Sequence, residues 1–191
     1  LTLFFLGRTQ TGQEAYERAA LSGEAFPDLF LARSNLESDL NLRVAWINQA
    51  LAARNIPPVA LSDQTGLCAY DRLIARDLPA PVHDGPKVTI LIAAYDAGGF
   101  LPVTLRAVQQ QSWRNLEIIV LDDCSPDPAT MEIAQAFAAQ DPRIRVIRME
   151  QNGGAYVARN RGLDEATGDF VTLNDADDWA HPLKIETQVR F

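Results

Sequence analysis

The chain has 191 residues, of which 47% are hydrophobic, so it can bury a core of ordinary size and is not a disordered polymer. Seventeen basic and twenty-five acidic side chains give a net charge of −8, which disfavours a nucleic-acid partner because phosphate backbones attract basic surfaces. The two cysteines are far apart in the sequence, which argues against a disulfide framework or a zinc site. No apolar run reaches the roughly 18 residues that a transmembrane helix needs. These features favour a cytoplasmic location, including the cytoplasmic face of the membrane.

The first part of the chain, residues 1–85, has a helical pattern. Helices are predicted over Gly12–Leu21, Leu29–Leu36 and Leu40–Ala53. In the last of these segments, apolar residues recur at spacings of three and four, which is the period of a helix with one buried face. No repeat of fixed length is visible, so a helical cap or linker region is favoured over a tetratricopeptide-like module.

The segment from Asp77 to Pro86 separates two parts of different character. It contains three prolines and one glycine in ten residues, and these residue types interrupt helices and sheets. We therefore predict two regions, a helical region with a proline-rich linker over residues 1–85 and a second domain over residues 86–191.

Strand and helix patterns alternate from residue 86 onwards. Strands are predicted over Val88–Ala94, Leu116–Leu121, Ile144–Ile147 and Phe170–Leu173, and helices over Phe100–Gln110, Ala129–Gln140 and Gly154–Ala166. This alternation predicts an α/β fold with a mainly parallel sheet flanked by helices. Ligands of such sheets bind beyond the carboxyl ends of the strands, so the residues that directly follow each strand are candidates for a site.

Polar side chains follow three of the predicted strands. Tyr95 follows the first strand, Asp123 lies in the acidic cluster after the second, and Asp175 and Asp177 follow the fourth. Carboxylates gathered at one edge of a sheet repel one another unless a cation or a donor-rich ligand lies among them. Oxygen donors of this kind suit Mg²⁺ or Mn²⁺, and such a cation could also hold the two phosphates of a nucleotide.

Four segments of the second part resemble motifs of the family 2 glycosyltransferases with the GT-A fold. The segments are Lys87–Asp96, Glu117–Ser125, Asn152–Gly162 and Gly168–Asp178, in the family's order and at family-like spacing. The resemblance covers about residues 86–191 and implies the nucleotide-sugar-binding half of a GT-A domain. It does not extend to the helical region that precedes it.

The resemblance implies a role for each candidate residue. Tyr95 would stack on the nucleotide base, and Asp123 would accept a hydrogen bond from the base, which favours a UDP-sugar as the donor. Arg159 would help to shape the donor pocket. Asp175 would contact the ribose or the metal shell, and Asp177, the second carboxylate of the DXD motif, would ligate Mn²⁺ or Mg²⁺. For Asp123, capping of the turn after its strand is the alternative role.

The reaction implied by the resemblance is inverting transfer of a sugar to the hydroxyl of an acceptor, a glycan or another molecule that the sequence does not identify. The family's catalytic base lies downstream of the DXD motif, and only fourteen residues follow Asp177 here. We therefore assign no catalytic base, and we expect the chain to be a fragment of a longer enzyme that transfers sugar poorly in isolation.

Two positions depart from the family pattern. Asp96 stands where the family often has asparagine, and it adds negative charge near the expected diphosphate. Cys124 stands where glycine is common, and a residue with a side chain is expected to alter the turn.

The motifs of two other nucleotide-binding enzyme classes are missing after the first predicted strand. A sugar-nucleotide nucleotidyltransferase needs a basic, glycine-rich loop after the first strand, and a nicotinamide dehydrogenase needs GxGxxG there; neither pattern follows Ala94. A non-catalytic interaction module with a degenerate GT-A fold remains the alternative.

Overall fold

The computed structural model describes residues 13, 14, 16–18, 27–63 and 68–191. The chain divides into two compact units, Leu1–Leu78 and Pro79–Phe191. This division falls inside the proline-rich segment 77–86, whereas the assignment of residues 1–85 and 86–191 as separate domains stays a prediction. Half of the helix predicted over Gly12–Leu21 lies outside the described residues, and residues 13, 14 and 16–18 are helical.

The first unit contains two helices and a small antiparallel sheet. Its elements are α1 (Pro27–Ser34), α2 (Leu40–Ala52), β1 (Val59–Leu61) and β2 (Leu73–Ala75). Asp39 caps α2, since its Oδ1 accepts hydrogen bonds from the backbone N–H groups of Asn41 and Leu42 at 2.8 and 3.0 Å. The side chain of Asn48 pairs with both backbone groups of Val59 and so joins α2 to β1. The two strands are absent from the prediction, because three residues are too few to show a strand period.

The second unit is an α/β domain built on a four-stranded parallel sheet with the order β5-β4-β3-β6. Its elements are β3 (Val88–Ala94), α3 (Leu101–Gln109), β4 (Leu116–Asp122), α4 (Ala129–Gln140), β5 (Ile144–Arg148), α5 (Ala155–Glu165), β6 (Phe170–Leu173) and α6 (Lys184–Arg190). The predicted fold class is confirmed, and each predicted strand and helix of this unit differs from the observed one by at most one residue at either end. Only α6 is absent from the prediction. Among the residues that the structure describes, no helix is long and apolar enough to span a bilayer.

Helices cover both faces of the two central strands, β3 and β4. On one face, Ile90 of β3 packs in a cluster with Leu105 of α3 and Ala134 of α4. On the other face, α5 lies directly on the sheet because Gly162 has no side chain: a Cβ there would be 2.9 Å from Cδ1 of Leu121. The central strands are therefore buried along their length, and only the loops at their ends can carry a site.

Near the start of β4, the carboxylate of Glu117 is buried and has several partners. Only 7% of the side chain is exposed. It accepts hydrogen bonds from the backbone N–H and hydroxyl of Thr167, the hydroxyl of Thr89 and the guanidinium of Arg145. Burial by itself raises the pKa of Glu117, but these hydrogen bonds, led by the backbone N–H of Thr167, outweigh burial and hold the pKa at about 2. The carboxylate thus ties β3 and β4 to the segment that enters β6.

This network makes the stability of the protein depend on pH. Because the folded-state pKa of Glu117 lies below its ordinary value of 4.5, ionised Glu117 stabilises the folded state above that pH, and the stabilisation is lost as the pH falls towards 2. We expect Glu117→Gln to remove about 3 kcal/mol of the acid-induced loss in the free energy of unfolding. Urea unfolding at a series of pH values between about 6 and 2 measures this loss.

A second carboxylate with a lowered pKa provides an independent comparison for that measurement. Hydrogen bonds from Arg143 hold the pKa of Asp141, the residue after α4, at about 2. Asp141→Asn should therefore remove a separate share of the same pH dependence, and the two effects should add. An acid-induced loss in Glu117→Gln equal to that of the unmodified protein would contradict the expectation.

Candidate functional site

A cleft of about 380 Å³ opens at the carboxyl edge of the sheet, beside the ends of β3 and β6. Four of the five predicted site residues line it together: Tyr95, Arg159, Asp175 and Asp177. Tyr95 follows β3, the two aspartates follow β6, and Arg159 comes from the first half of α5. Since β3 and β6 are adjacent parallel strands, the loops that follow them meet at one edge. Tyr95 is 52% exposed, so part of its ring is open to a ligand.

The loop after β3 is held by side chains from the region that follows β4. The backbone N–H of Asp96 donates to Oγ of the buried Ser125 at 2.9 Å, and the N–H of Ala97 donates to Oγ1 of Thr130 at 2.9 Å. Asp96 has a φ of 50°, in the left-handed region that aspartate and asparagine tolerate better than most residues. The asparagine common in the family and the aspartate found here are thus both suited to this backbone conformation.

The turn after β4 contains the buried Asp122 and a strained cysteine, Cys124. Asp122 is fully buried, and its Oδ1 accepts a hydrogen bond from the backbone N–H of Ser125 at 3.2 Å. Arg148 lies 3.4 Å from Oδ2, within ion-pair range but outside hydrogen-bond geometry. Cys124 has a φ of 60°, which lies in the left-handed region that glycine adopts most easily. The family often has glycine at this position, and the cysteine here is conformationally strained.

Asp123, the fifth predicted site residue, is almost fully buried and binds the loop that precedes α5. Its two carboxylate oxygens accept hydrogen bonds from the backbone N–H groups of Gly153 and Gly154 at 2.9 and 2.7 Å. Gly154 has a φ of 82°, a conformation that requires glycine in practice. Asp123 does not itself line the cleft. It orders Gly154, and the next residue, Ala155, does line the cleft. Its observed contacts are those of a loop-capping residue.

Arg159 and Asp175 form an ion pair inside the cleft. The guanidinium of Arg159 also lies over the ring of Tyr156, with 5.7 Å between its carbon and the ring centroid. Its Nε is buried and has no hydrogen-bond partner among the described residues. One of the two carboxylates of the predicted DXD motif is therefore neutralised by a cation of the protein.

The loop that carries Asp175 and Asp177 has a defined shape because its backbone is bonded on several sides. Nδ2 of the buried Asn174 donates to the carbonyl oxygens of Asp175 and Asp178, both at 3.1 Å. The hydroxyl of Thr104, a buried residue of α3, donates to the carbonyl oxygen of Ala176 at 2.8 Å. The side chain of Ala176 points inward, whereas Asp175 and Asp177 on either side of it are exposed.

Sequence reasoning missed Lys184, the first residue of α6. Its Nζ donates hydrogen bonds to the carbonyl oxygen of Leu173 at 3.0 Å and to Oδ1 of Asn174 at 2.9 Å. The available signal was a lysine at the start of an amphipathic segment, where the positive end of the helix dipole disfavours a cation. Its contacts with Leu173 and Asn174 are tertiary, so the local sequence does not reveal them.

The oxygen donors at the cleft fit a divalent cation whose coordination shell is completed by a bound ligand. In the described part of the chain, no group of three or more His, Cys, Asp or Glu side chains is arranged to hold a metal ion by itself. Asp175 and Asp177 offer exposed carboxylates to one cleft. Mg²⁺ is commonly bound through one or two carboxylates, with phosphate oxygens of a substrate and water completing its shell. The residues present are compatible with that arrangement.

Comparison with known proteins decides the family. The sequence model described as Glycosyl transferase family 2 matches residues 89–191, just over half of the chain. The chain belongs to glycosyl transferase family 2. The resemblance seen in the four motifs is thereby confirmed, and with it the assignment to a family of transferases.

Curated relatives match the same region. An uncharacterized glycosyltransferase of Escherichia coli (strain K12), YibD, is 40% identical over 101 residues, which are 53% of this chain and 29% of YibD. The glycosyltransferase GlyG of Streptococcus pneumoniae serotype 4 is 37% identical over 100 residues, which are 52% of this chain and 33% of GlyG. This chain thus spans about a third of the length of these relatives.

A solved structure confirms the GT-A-like fold. The crystal structure of Staphylococcus aureus TarS matches with a TM-score of 0.51 and 26% identity, over 55% of this chain and 19% of that chain. Structures of TarS 1–349 in complex with UDP and with UDP-GlcNAc match with the same TM-score and identity.

Proposed function

We propose that this chain forms the donor-binding region of a glycosyltransferase and binds a UDP-sugar together with Mn²⁺ or Mg²⁺. The observation that carries the proposal is that Tyr95, Arg159, Asp175 and Asp177 line one cleft together. An aromatic ring, a guanidinium and exposed carboxylates are suited to a nucleobase, a diphosphate and a divalent cation respectively. The complexes of TarS with UDP and UDP-GlcNAc support the choice of uridine.

The base would lie against the exposed ring of Tyr95. Asp123 contributes in two ways under this proposal. It holds the N–H groups of Gly153 and Gly154, and each carboxylate oxygen retains a second lone pair that could accept a hydrogen bond from the base. Capping of the loop and recognition of the base are therefore compatible roles for one carboxylate.

Donor binding would exchange the partners of Arg159 and Asp175. In the structure each neutralises the other. A diphosphate offers the guanidinium a bidentate partner of higher charge, which would release Asp175 towards the ribose or the metal shell. Bound at Asp177, a divalent cation would supply charge neutralisation for the diphosphate as it departs.

We further propose that the donor-binding region serves inverting transfer of the sugar to an acceptor hydroxyl. No residue of this chain is assigned as the catalytic base, and the sugar and the acceptor are not identified. The cytoplasmic location expected from the cysteine content stays a prediction.

The test is calorimetric titration of UDP into the purified chain, with Mn²⁺ and again with EDTA. We expect UDP to bind about 100-fold more tightly with Mn²⁺ than with EDTA, a difference of about 2.7 kcal/mol. Uridine is the matched control, since it carries the base without the diphosphate, and its affinity should be indifferent to the metal.

Two results would contradict the proposal. Equal affinity for UDP with Mn²⁺ and with EDTA would show that the metal has no part in donor binding. No binding of UDP to a sample that circular dichroism shows to be folded would favour the non-catalytic interaction module with a degenerate GT-A fold.

A further inference from the structure

Lys184 contacts the start of the acidic loop, residues 174–178, which carries Asp175 and Asp177. Its two hydrogen bonds reach Leu173, the last residue of β6, and Asn174, the residue that precedes Asp175. Asn174 in turn donates to the carbonyl oxygens of Asp175 and Asp178. The ammonium group is therefore separated from the backbone of the acidic loop by one side chain.

The position is unfavourable for a lysine by local rules. Lys184 is the first residue of α6, where the positive end of the helix dipole disfavours a cation. Its ammonium is also partly removed from water, and this burial lowers the pKa of Lys184 against the opposing effect of Asp178 and Asp175. A residue that violates local preferences in this way is usually kept for a tertiary or functional reason.

The contacts of Lys184 complete a frame around the loop from both sides. From the side of α3, Thr104 fixes the carbonyl oxygen of Ala176. From the side of α6, Lys184 fixes the orientation of Asn174, because an ammonium can bond only the oxygen of that amide and so directs its NH₂ towards the loop. Without Lys184, the amide of Asn174 could turn over and lose both loop contacts.

We propose that Lys184 is a positioning residue for the metal and diphosphate site, acting through Asn174 on the loop that carries Asp175 and Asp177. The inference rests on the proposed function, since it presupposes that this loop holds a divalent cation. It adds a requirement that the exposed carboxylates alone do not impose.

The sign of the effect separates positioning from simple charge. Lys184 is a cation close to carboxylates, so on Coulombic grounds its removal makes the loop more negative and should tighten the binding of Mn²⁺. If Lys184 acts by position, its removal should weaken that binding, as loss of an outer partner of a metal ligand commonly does by about 10- to 100-fold.

The experiment is a calorimetric titration of Mn²⁺ into the full chain at a fixed concentration of UDP. Lys184→Met is expected to weaken the apparent affinity for Mn²⁺ about tenfold, Lys184→Gln to weaken it less, and Lys184→Arg to stay within about threefold of the unmodified protein. This graded order tests the proposal through Gln and Arg even where the Met variant is poorly folded.

Lys87→Met is the matched control. Lys87 is the chain's other lysine, its Nζ donates to Thr167 at 2.6 Å, and it precedes β3, at the end of the sheet opposite the cleft. Its removal changes the net charge equally and should leave the affinity for Mn²⁺ within about twofold.

The outcomes distinguish this inference from the proposed function. Unmodified protein that binds UDP only with Mn²⁺, together with Lys184 variants of equal or higher Mn²⁺ affinity, would overturn the positioning role and leave the function standing. Unmodified protein that shows no metal-dependent binding of UDP would overturn both.

Discussion

Asp177→Ala is expected to weaken the binding of UDP in the presence of Mn²⁺ by about 100-fold or more, which corresponds to about 2.7 kcal/mol. Asp177 is exposed at the cleft, and in the proposed complex it is the carboxylate that ligates the cation directly. Its removal takes away one ligand of a site that has few ligands from the protein. Calorimetric titration of UDP at saturating Mn²⁺ measures the loss, and the variant should bind UDP as the unmodified protein does in EDTA.

The matched control for this substitution is Asp164→Ala. Asp164 is an exposed carboxylate near the end of α5, so its loss changes the net charge by the same amount away from the cleft. It should leave the affinity for UDP within about twofold. Metal-dependent binding that survives in Asp177→Ala would show that another group holds the cation, and the assignment of Asp177 would then be wrong.

The sheet of the second unit could be predicted because its strands depend on patterns that are local in sequence. Val88–Ala94 is an unbroken run of apolar and β-branched residues, and it becomes the central strand β3, buried on both faces. The pattern predicts the helix over Ala129–Gln140 at its observed ends, because Ile133, Ala134 and Phe137 recur on one side. By contrast, β1 and β2 are three residues long, and they form only by pairing with each other.

The gathering of the site residues could also be predicted, but their bonding partners could not. The rule that ligands bind beyond the ends of parallel strands, together with the order of the motifs, brought Tyr95, Asp175 and Asp177 to one edge. The partners of Asp123 lie thirty and thirty-one residues away in the chain, in a loop whose path only the tertiary structure defines. The frame formed by Thr104 and Lys184 was missed for the same reason.

Arginine side chains lie among the clustered carboxylates. Such a cluster is unfavourable unless a cation or a donor-rich ligand lies within it. In the structure the protein supplies cations of its own, since Arg159 pairs with Asp175 and Arg148 lies within ion-pair range of Asp122. Two of these carboxylates therefore have cationic partners within the protein, and the support for a metal comes from the geometry of the cleft.

Asp123→Ala is expected to lower the free energy of unfolding by about 3 kcal/mol and to weaken UDP binding as well. The carboxylate makes two charge-assisted hydrogen bonds while almost fully buried, and its loss leaves the N–H groups of Gly153 and Gly154 without their acceptor. The loop before α5 would then be less ordered, and Ala155 and Arg159, which follow it, line the cleft. Urea unfolding followed by circular dichroism measures the first effect, and calorimetry measures the second.

Two further variants show which property of Asp123 matters. Asp123→Asn preserves the shape, but it presents an NH₂ group to one of the two N–H donors, so we expect it to be nearly as destabilising as alanine. Asp127→Ala removes an exposed aspartate whose Oδ1 accepts a single hydrogen bond, from the N–H of Ala129 at 2.9 Å, and it should cost only about 1 kcal/mol. If Asp123→Ala cost no more than Asp127→Ala, the bonds to the glycine loop would not be what orders it. If it destabilised the protein without changing UDP affinity, Asp123 would cap the loop and have no part in binding the nucleotide.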